Sequence, residues 1–280
     1  MYNYIDKDFN KDFTKHCSLL FQLEEQQYSY AIYEKRSGNL MLLKTVQLNA
    51  ASPTEMLNKL KISVTSEDVL QVPFHEVKVC VCGNPFTLIP RVIYEEDKKR
   101  NYLELTATLE KDDKVLVNNI NKLFIKNVFS ISSEELNYID EVFPNPKIIH
   151  IGTSILENAV RNKDDFFDQQ LILDIKPGVI HVLYFEKKEF KFMNQFRFVN
   201  KDDFLYYVLL VSDQYNIDRE NCDLKLSGEI MPDSLLFGEL WKFFKTISFV
   251  ALNENIILPK ELQEKPFYYY NSLMSLDLCE

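Results

Sequence analysis

The sequence predicts a mixed α/β fold built twice over, on three observations. Between residues 170 and 249, three strand-like runs are followed by a long helical stretch, a strand, a second helix and a last strand. A looser version of the same order occupies residues 18–151. Laid side by side, Leu19-Leu-Phe-Gln-Leu-Glu24 falls against Leu171-Ile-Leu-Asp-Ile-Lys176, and residues 30–33 fall against 182–185. The expected organisation is two lobes, 1–152 and 153–280, each a duplicated β-β-β-α-β-α-β unit with a mixed sheet.

Residues 1–16 are polar and charged and read as a flexible or loosely docked lead. Residues 18–23, 28–34 and 40–48 then form an antiparallel meander, with Ser37-Gly38-Asn39 as one of its turns. Ser52-Pro53-Thr54-Glu55 opens a short helix: Ser52 is the N-cap, Pro53 takes the first position, and Glu55 stands three residues after the cap. Val77-Lys-Val-Cys-Val-Cys82 is a nearly continuous, β-branched apolar run, the pattern of a strand buried on both faces. The charge run at 95–100 reads as the solvated face of a helix. Strands follow at 114–119 and 123–131, a Ser132-capped helix reaches Phe143, and residues 147–151 make one more strand. A helix over 153–162 links the halves.

The second half is cleaner. Residues 171–175, 179–185 and 190–199 form another meander, and Asn200 caps a helix running to about Tyr215. That helix is apolar almost all round, which predicts burial between layers. Residues 224–226 form a central strand closed by Ser227-Gly228. The next helix places Phe237, Leu240, Trp241 and Phe244 at core-facing spacing. Residues 247–252 close the unit, and the aromatic tail from Pro266 folds back on it.

With 280 residues, 46% of them hydrophobic, the chain can fill one large or two medium cores. A formal charge of -10 disfavours nucleic acid as a partner. No apolar stretch approaches the roughly 18 residues that cross a bilayer, and the polar N-terminus lacks the pattern of a signal peptide. The expected location is therefore cytoplasmic, without membrane insertion. Five scattered cysteines form no disulfide framework. Cys80 and Cys82 share one strand face, where buried reduced thiols are the expected state and a metal site the alternative.

A duplicated unit of this order is the architecture of the actin-like ATPase (ribonuclease H-like) fold. The chain also resembles an uncharacterised, domain-of-unknown-function family from Bacteroidota. The motifs behind that resemblance are Asp203-Phe-Leu-Tyr-Tyr-Val208, Leu226-Ser-Gly-Glu-Ile230, Asp233-Ser-Leu-Leu-Phe237, Leu276-Asp-Leu-Cys-Glu280 and Pro85-Phe-Thr-Leu-Ile-Pro90. It implies the fold and carries no activity.

In active proteins of the actin-like fold, the first hairpin of each half carries an Asp-x-Gly type loop for phosphate and hydrated Mg²⁺. The matching positions here are Gln22 and Glu24, then Asp174 and Lys176. Gln22 lacks the charge, Glu24 sets a carboxylate against phosphate, and Lys176 replaces the glycine. Gly178, after Pro177, reads as hairpin-turn chemistry. Ser227-Gly228 keeps half of a nucleotide-pocket glycine pair, and it also suits a plain strand exit.

Other chemistries are absent: no Walker loop, nucleophile elbow or zinc-protease helix occurs. The four histidines are isolated in sequence, and His181 reads as a structural strand residue. Asp202-Asp203 and Glu134-Glu135 read as charge at helix N-termini. The expectation is a protein without catalytic or metal-ligating residues and with no cofactor, serving as an interaction or scaffold module. Its partner would be another protein, and a homo-oligomer is the other assembly the sequence leaves open. The competing expectation is a divergent ATPase or small-molecule kinase using ATP and Mg²⁺ between the lobes, with Asp174 on the metal side.

Overall fold

The sheet of the first unit forms because short β-branched and aromatic runs bury both faces. In a computed structural model describing residues 3–50 and 52–280, the chain folds into two compact units. One comprises residues up to 154 together with 254–263 and 273–280, the other residues 155–253 and 264–272. The sequence places the division two residues earlier and assigns the whole C-terminal tail to the second half.

The first unit opens with β1 (Tyr4–Ile5), β2 (Cys17–Leu23), β3 (Gln27–Glu34), β4 (Leu40–Gln47), α1 (Pro53–Ser66) and β5 (Glu76–Val81). It continues with β6 (Phe86–Pro90), α2 (Lys99–Glu104), β7 (Lys114–Ile120), β8 (Ile125–Ile131), α3 (Ser133–Val142) and β9 (Lys147–His150). Helix α4 (Ile151–Arg161) follows directly. The main sheet runs β1-β4-β3-β2-β5-β9, and β6-β8-β7 form a small separate sheet. Two caps act as the sequence predicts: Ser52 Oγ accepts from Glu55 N at 3.2 Å and Ser132 Oγ from Glu135 N at 3.1 Å.

Two expectations for this unit change. The lead is docked from Tyr4 onward: β1 adds to the edge of β4, and buried Thr14 donates to Pro73 O at 2.9 Å. Strand β6 was not legible, being five residues long and bounded by prolines. The charge run at 95–100 is split between a 3₁₀ turn and the start of α2, and its ion pairs are solvated (Lys98–Glu95 2.7 Å, Lys99–Glu96 2.7 Å, Arg100–Glu104 2.8 Å).

Lys78 sits inside the buried strand β5 and is itself buried. Its Nζ donates to Cys279 O at 2.6 Å and Asp277 O at 3.1 Å, where the last 3₁₀ turn of the chain ends. The Asp277 carboxylate also accepts from Tyr33 OH, from Asn255 Nδ2 at 2.9 Å and from Lys35 Nζ at 3.4 Å. On β9, which ends the main sheet, Asn118 Nδ2 donates to Ile148 O at 3.0 Å and Asn118 Oδ1 accepts from His150 N at 2.9 Å.

The second unit contains β10 (Gln169–Lys176), β11 (Val179–Glu186), β12 (Glu189–Arg197), α5 (Lys201–Gln214), β13 (Asp223–Gly228), α6 (Leu235–Trp241) and β14 (Thr246–Phe249). Its sheet order is β12-β11-β10-β13-β14, with β13 and β14 parallel to β10. This matches β4-β3-β2-β5-β9 of the first unit strand for strand. One face (Leu171, Leu173, Ile175, Val182, Leu224, Leu226) packs with Phe204, Val208 and Leu240 from α5 and α6. Each such aliphatic side chain contributes about 2 kcal/mol when fully buried.

Asn200 caps α5 through Oδ1, accepting from Asp202 N at 2.8 Å and Asp203 N at 3.0 Å. Contrary to the sequence expectation, α5 is a surface helix. Phe204, Val208 and Val211 are buried, while Tyr206 and Leu210 are exposed, because a single sheet face receives it. Trp241 likewise leaves the expected stripe and is 58% exposed, with Leu240 and Phe244 filling the core. Tyr268 of the tail stacks on Phe249 at 3.9 Å, as a tail folding back requires.

Candidate functional site

In each unit, the residues read as candidates lie at the end of the first hairpin and on the strand beside it. In the first unit, Gln22 on β2 pairs with Ser29 on β3 and with Cys80 on β5, and Ser29 pairs with Thr45 on β4. Ser29 Oγ lies 2.9 Å from Thr45 Oγ1. Glu24 begins the turn into β3 and is buried. One carboxylate oxygen accepts from Gln22 Nε2, and the other from Gln27 Nε2 at 2.8 Å. Gln27 accepts in turn from Gln47 Nε2. Side-chain amides thus hold a negative charge where a phosphate loop would offer backbone N–H groups.

The second unit repeats the geometry with different chemistry. Asp174 on β10 pairs with His181 on β11 and Ser227 on β13, and His181 pairs with Gln195 on β12. Ser227 Oγ donates to Asp174 Oδ2 at 2.7 Å, and His181 Nδ1 lies 3.9 Å from Asp174 Oδ1. All three side chains are buried, as is Lys176. The serine addresses the aspartate rather than the histidine, so the trio is not a nucleophilic triad. Pro177 and Gly178 form a two-residue turn, with Gly178 at φ +71°. Gly228, at φ +81°, ends β13 where Glu229 N donates to Ile175 O at 2.6 Å.

Burial pushes the His181 imidazole down to about 4, and the Lys176 charge adds to the shift. The folded state therefore keeps His181 neutral while the unfolded chain takes up a proton below the ordinary value near 6.5. Stability contributed at neutral pH falls as pH drops from 6.5 towards 4, by roughly 3 kcal/mol in all. We expect the urea midpoint of the second unit to fall between pH 7 and pH 5, and His181→Gln to flatten that dependence. An unchanged slope in the variant would assign the acid sensitivity to another group.

Sequence reading missed two features of the first unit. Glu135, expected to serve only as helix-terminal charge, lines a pocket of about 280 Å³ with Glu24, Cys82, Asn84, Asp113 and Ser132. Burial pushes its carboxyl up to about 7, opposed by a hydrogen bond from Asn84. The second is a buried network around His150. Gly152 N donates to His150 Nδ1 at 3.0 Å and Asn127 Nδ2 lies 3.3 Å from the same atom, which fixes a neutral ring with its proton on Nε2, 3.1 Å from Asn84 O. Asn127 also donates to Thr153 Oγ1 at 2.8 Å. Neither feature is legible in the sequence, since Asn127 and Asn84 reach His150, and Glu24 and Asn84 reach the pocket of Glu135, from far along the chain. Cys80 and Cys82 are free thiols with sulfurs 3.9 Å apart, and among the described residues no three His, Cys, Asp or Glu side chains converge to hold a metal.

A family described as protein of unknown function (DUF3822) matches residues 6–247. No curated protein matches the chain. Among solved structures, a Bacteroides thetaiotaomicron protein described as having an actin-like ATPase fold and unknown function is similar at 20% identity and TM-score 0.80, covering 88% of this chain and 96% of that one. The PilM–PilN type IV pilus biogenesis complex is similar at 10% identity and TM-score 0.55, covering 94% and 98%. The fold is that of the actin-like ATPases.

Proposed function

The chain belongs to the DUF3822 family of proteins of unknown function, and from that premise we propose that it is a non-catalytic binding module of the actin-like fold, acting in the cytoplasm on a protein partner. The observation that carries this reading is the Glu24 carboxylate, buried and held by the amides of Gln22 and Gln27. Two like charges about 4 Å apart repel by roughly 4 kcal/mol at an effective dielectric near 20. That weakens phosphate binding on the order of a thousandfold.

The second hairpin supports the same conclusion. Its tight Pro177-Gly178 turn offers no loop of backbone donors, and Asp174 is already engaged by Ser227. These residues do not fit a magnesium–nucleotide, so no hydrolytic step is assigned to them. A fold neighbour described as part of a pilus biogenesis complex gives a precedent for this fold in protein assembly. Among the described residues no helix is long and apolar enough to cross a membrane.

Calorimetric titration with ATP and ADP, each with and without Mg²⁺, tests the proposal. We expect no binding in the micromolar range. Micromolar, Mg²⁺-dependent affinity lost on Asp174→Asn would restore the ATPase or kinase reading.

A further inference from the structure

Cys80 and Cys82 differ from the other cysteines of the chain. Cys17 and Cys222 are single thiols that burial pushes up to about 11 and about 12, and Cys279 Sγ donates to Ser275 O at 3.6 Å. Cys80 and Cys82 instead turn their sulfurs towards each other, 3.9 Å apart. Cys80, on β5, is fully buried. Cys82, directly after β5, is half-buried and lines the pocket of about 280 Å³ that Asn84 and Glu135 share.

The backbone decides what such a pair can do. Residues two apart on an extended strand project to one face, with Cα atoms about 6.4–6.8 Å apart. That is the upper end of what a disulfide spans, the common separation being about 5.5–6 Å. A direct bond would also require the sulfurs to close from 3.9 Å to about 2.0 Å. Strand β5 resists the puckering this demands, because Cys80 pairs with Gln22 on β2 and with Ile149 on β9. A bridging ion demands far less. With bonds of about 2.3 Å to each sulfur, the 3.9 Å separation sets an S–metal–S angle of about 116°.

We propose that Cys80 and Cys82 form a binding site for a soft monovalent metal ion, copper(I), which enters through the pocket beside Cys82. The donors select the ion, since thiolates favour soft cations. Zinc also binds thiolates, but its structural sites take four ligands in a tetrahedron. Among the described residues no third His, Cys, Asp or Glu side chain joins the pair. Copper(I) is held by two or three donors, and an angle near 116° leaves the third position to a water or small thiol in the pocket. Glu24, Glu25 and Asp113 line the same pocket, and their carboxylates favour entry of a cation. Binding breaks two S–H bonds and forms two S–Cu bonds: each ion displaces two protons, and no oxidation state changes. The site is independent of the nucleotide question above.

Anaerobic titration of the fully reduced chain with copper(I), in competition with a chromophoric copper(I) chelator, tests the site. We expect one ion retained per chain, a thiolate-to-copper charge-transfer band in the ultraviolet, and a melting temperature that rises with added copper(I). Cys82→Ser is expected to weaken retention by about a hundredfold or more, because a single sulfur forfeits the chelate. Its half-buried position makes the variant one that should fold, and a circular dichroism melt without metal checks this. Cys17→Ser with Cys222→Ser is expected to leave the stoichiometry unchanged. Zinc titrated in the same way should not be held. No retention of copper(I), equal retention by Cys82→Ser, or zinc held as tightly as copper(I) overturns the proposal.

Discussion

Replacing Gly228 with alanine is expected to destabilise the second unit by about 3 kcal/mol or more, one of the two largest effects anticipated from a single substitution in this chain. A Cβ at this position would lie 2.1 Å from Ile175 O and 2.8 Å from Ile175 N, and φ is +81°. Both obstacles are backbone atoms of β10. That strand carries β11 on one side and β13 on the other, so it cannot withdraw without breaking the sheet. Gly238 on α6 is the control: nothing lies within 4 Å of its ideal Cβ. Gly238→Ala should be neutral or stabilising by a few tenths of a kcal/mol. Urea unfolding of both variants, with hydrogen exchange to assign the loss to the second unit, measures the contrast. Equal stability of the two would mean that β13 relaxes at its end. The same distances account for the glycine without a nucleotide, as a strand exit pressed against its neighbour.

The second large effect is expected at Asp277. Asp277→Ala should cost the first unit about 3 kcal/mol, since it removes the acceptor of Tyr33 and Asn255 and an anion beside Lys35 and buried Lys78. Tyr33 is buried, so its hydroxyl is left without its carboxylate partner in a site that excludes water. Tyr33→Phe, which removes donor and need together, should cost about 1 kcal/mol. In the double variant the losses should fall short of additive by at least about 1 kcal/mol. Strict additivity would show that Asp277 acts through Lys35 or Lys78 instead of Tyr33.

How far the sequence was legible depends on how local each feature is. The Ser52, Ser132 and Asn200 caps are written within four residues and were readable. So were the two meanders and the equivalence of Gln22 with Asp174, which occupy the same register in their sheets. The burial of Lys78 was not readable. It depends on carbonyls 199 and 201 residues away, while its own neighbours spell an apolar strand. The exposed Trp241 and Tyr206 were misplaced for a related reason. Periodicity identifies an apolar stripe but not how wide a stripe the receiving sheet can cover. Glu135 has the sequence position of a helix-terminal charge, and only the burial that folding imposes pushes its carboxyl up to about 7.

The carboxamide of Asn118 has a consequence for assembly. The outward-facing Ile148 carbonyl and His150 amide at the rim of β9 are the groups a foreign strand would grip. One side chain, carrying a peptide-like unit without a chain attached, meets both. That margin therefore cannot template growth of the sheet into another molecule. Filament formation by strand capture is closed off there, and self-association of this unit at that rim has to proceed through side-chain surfaces.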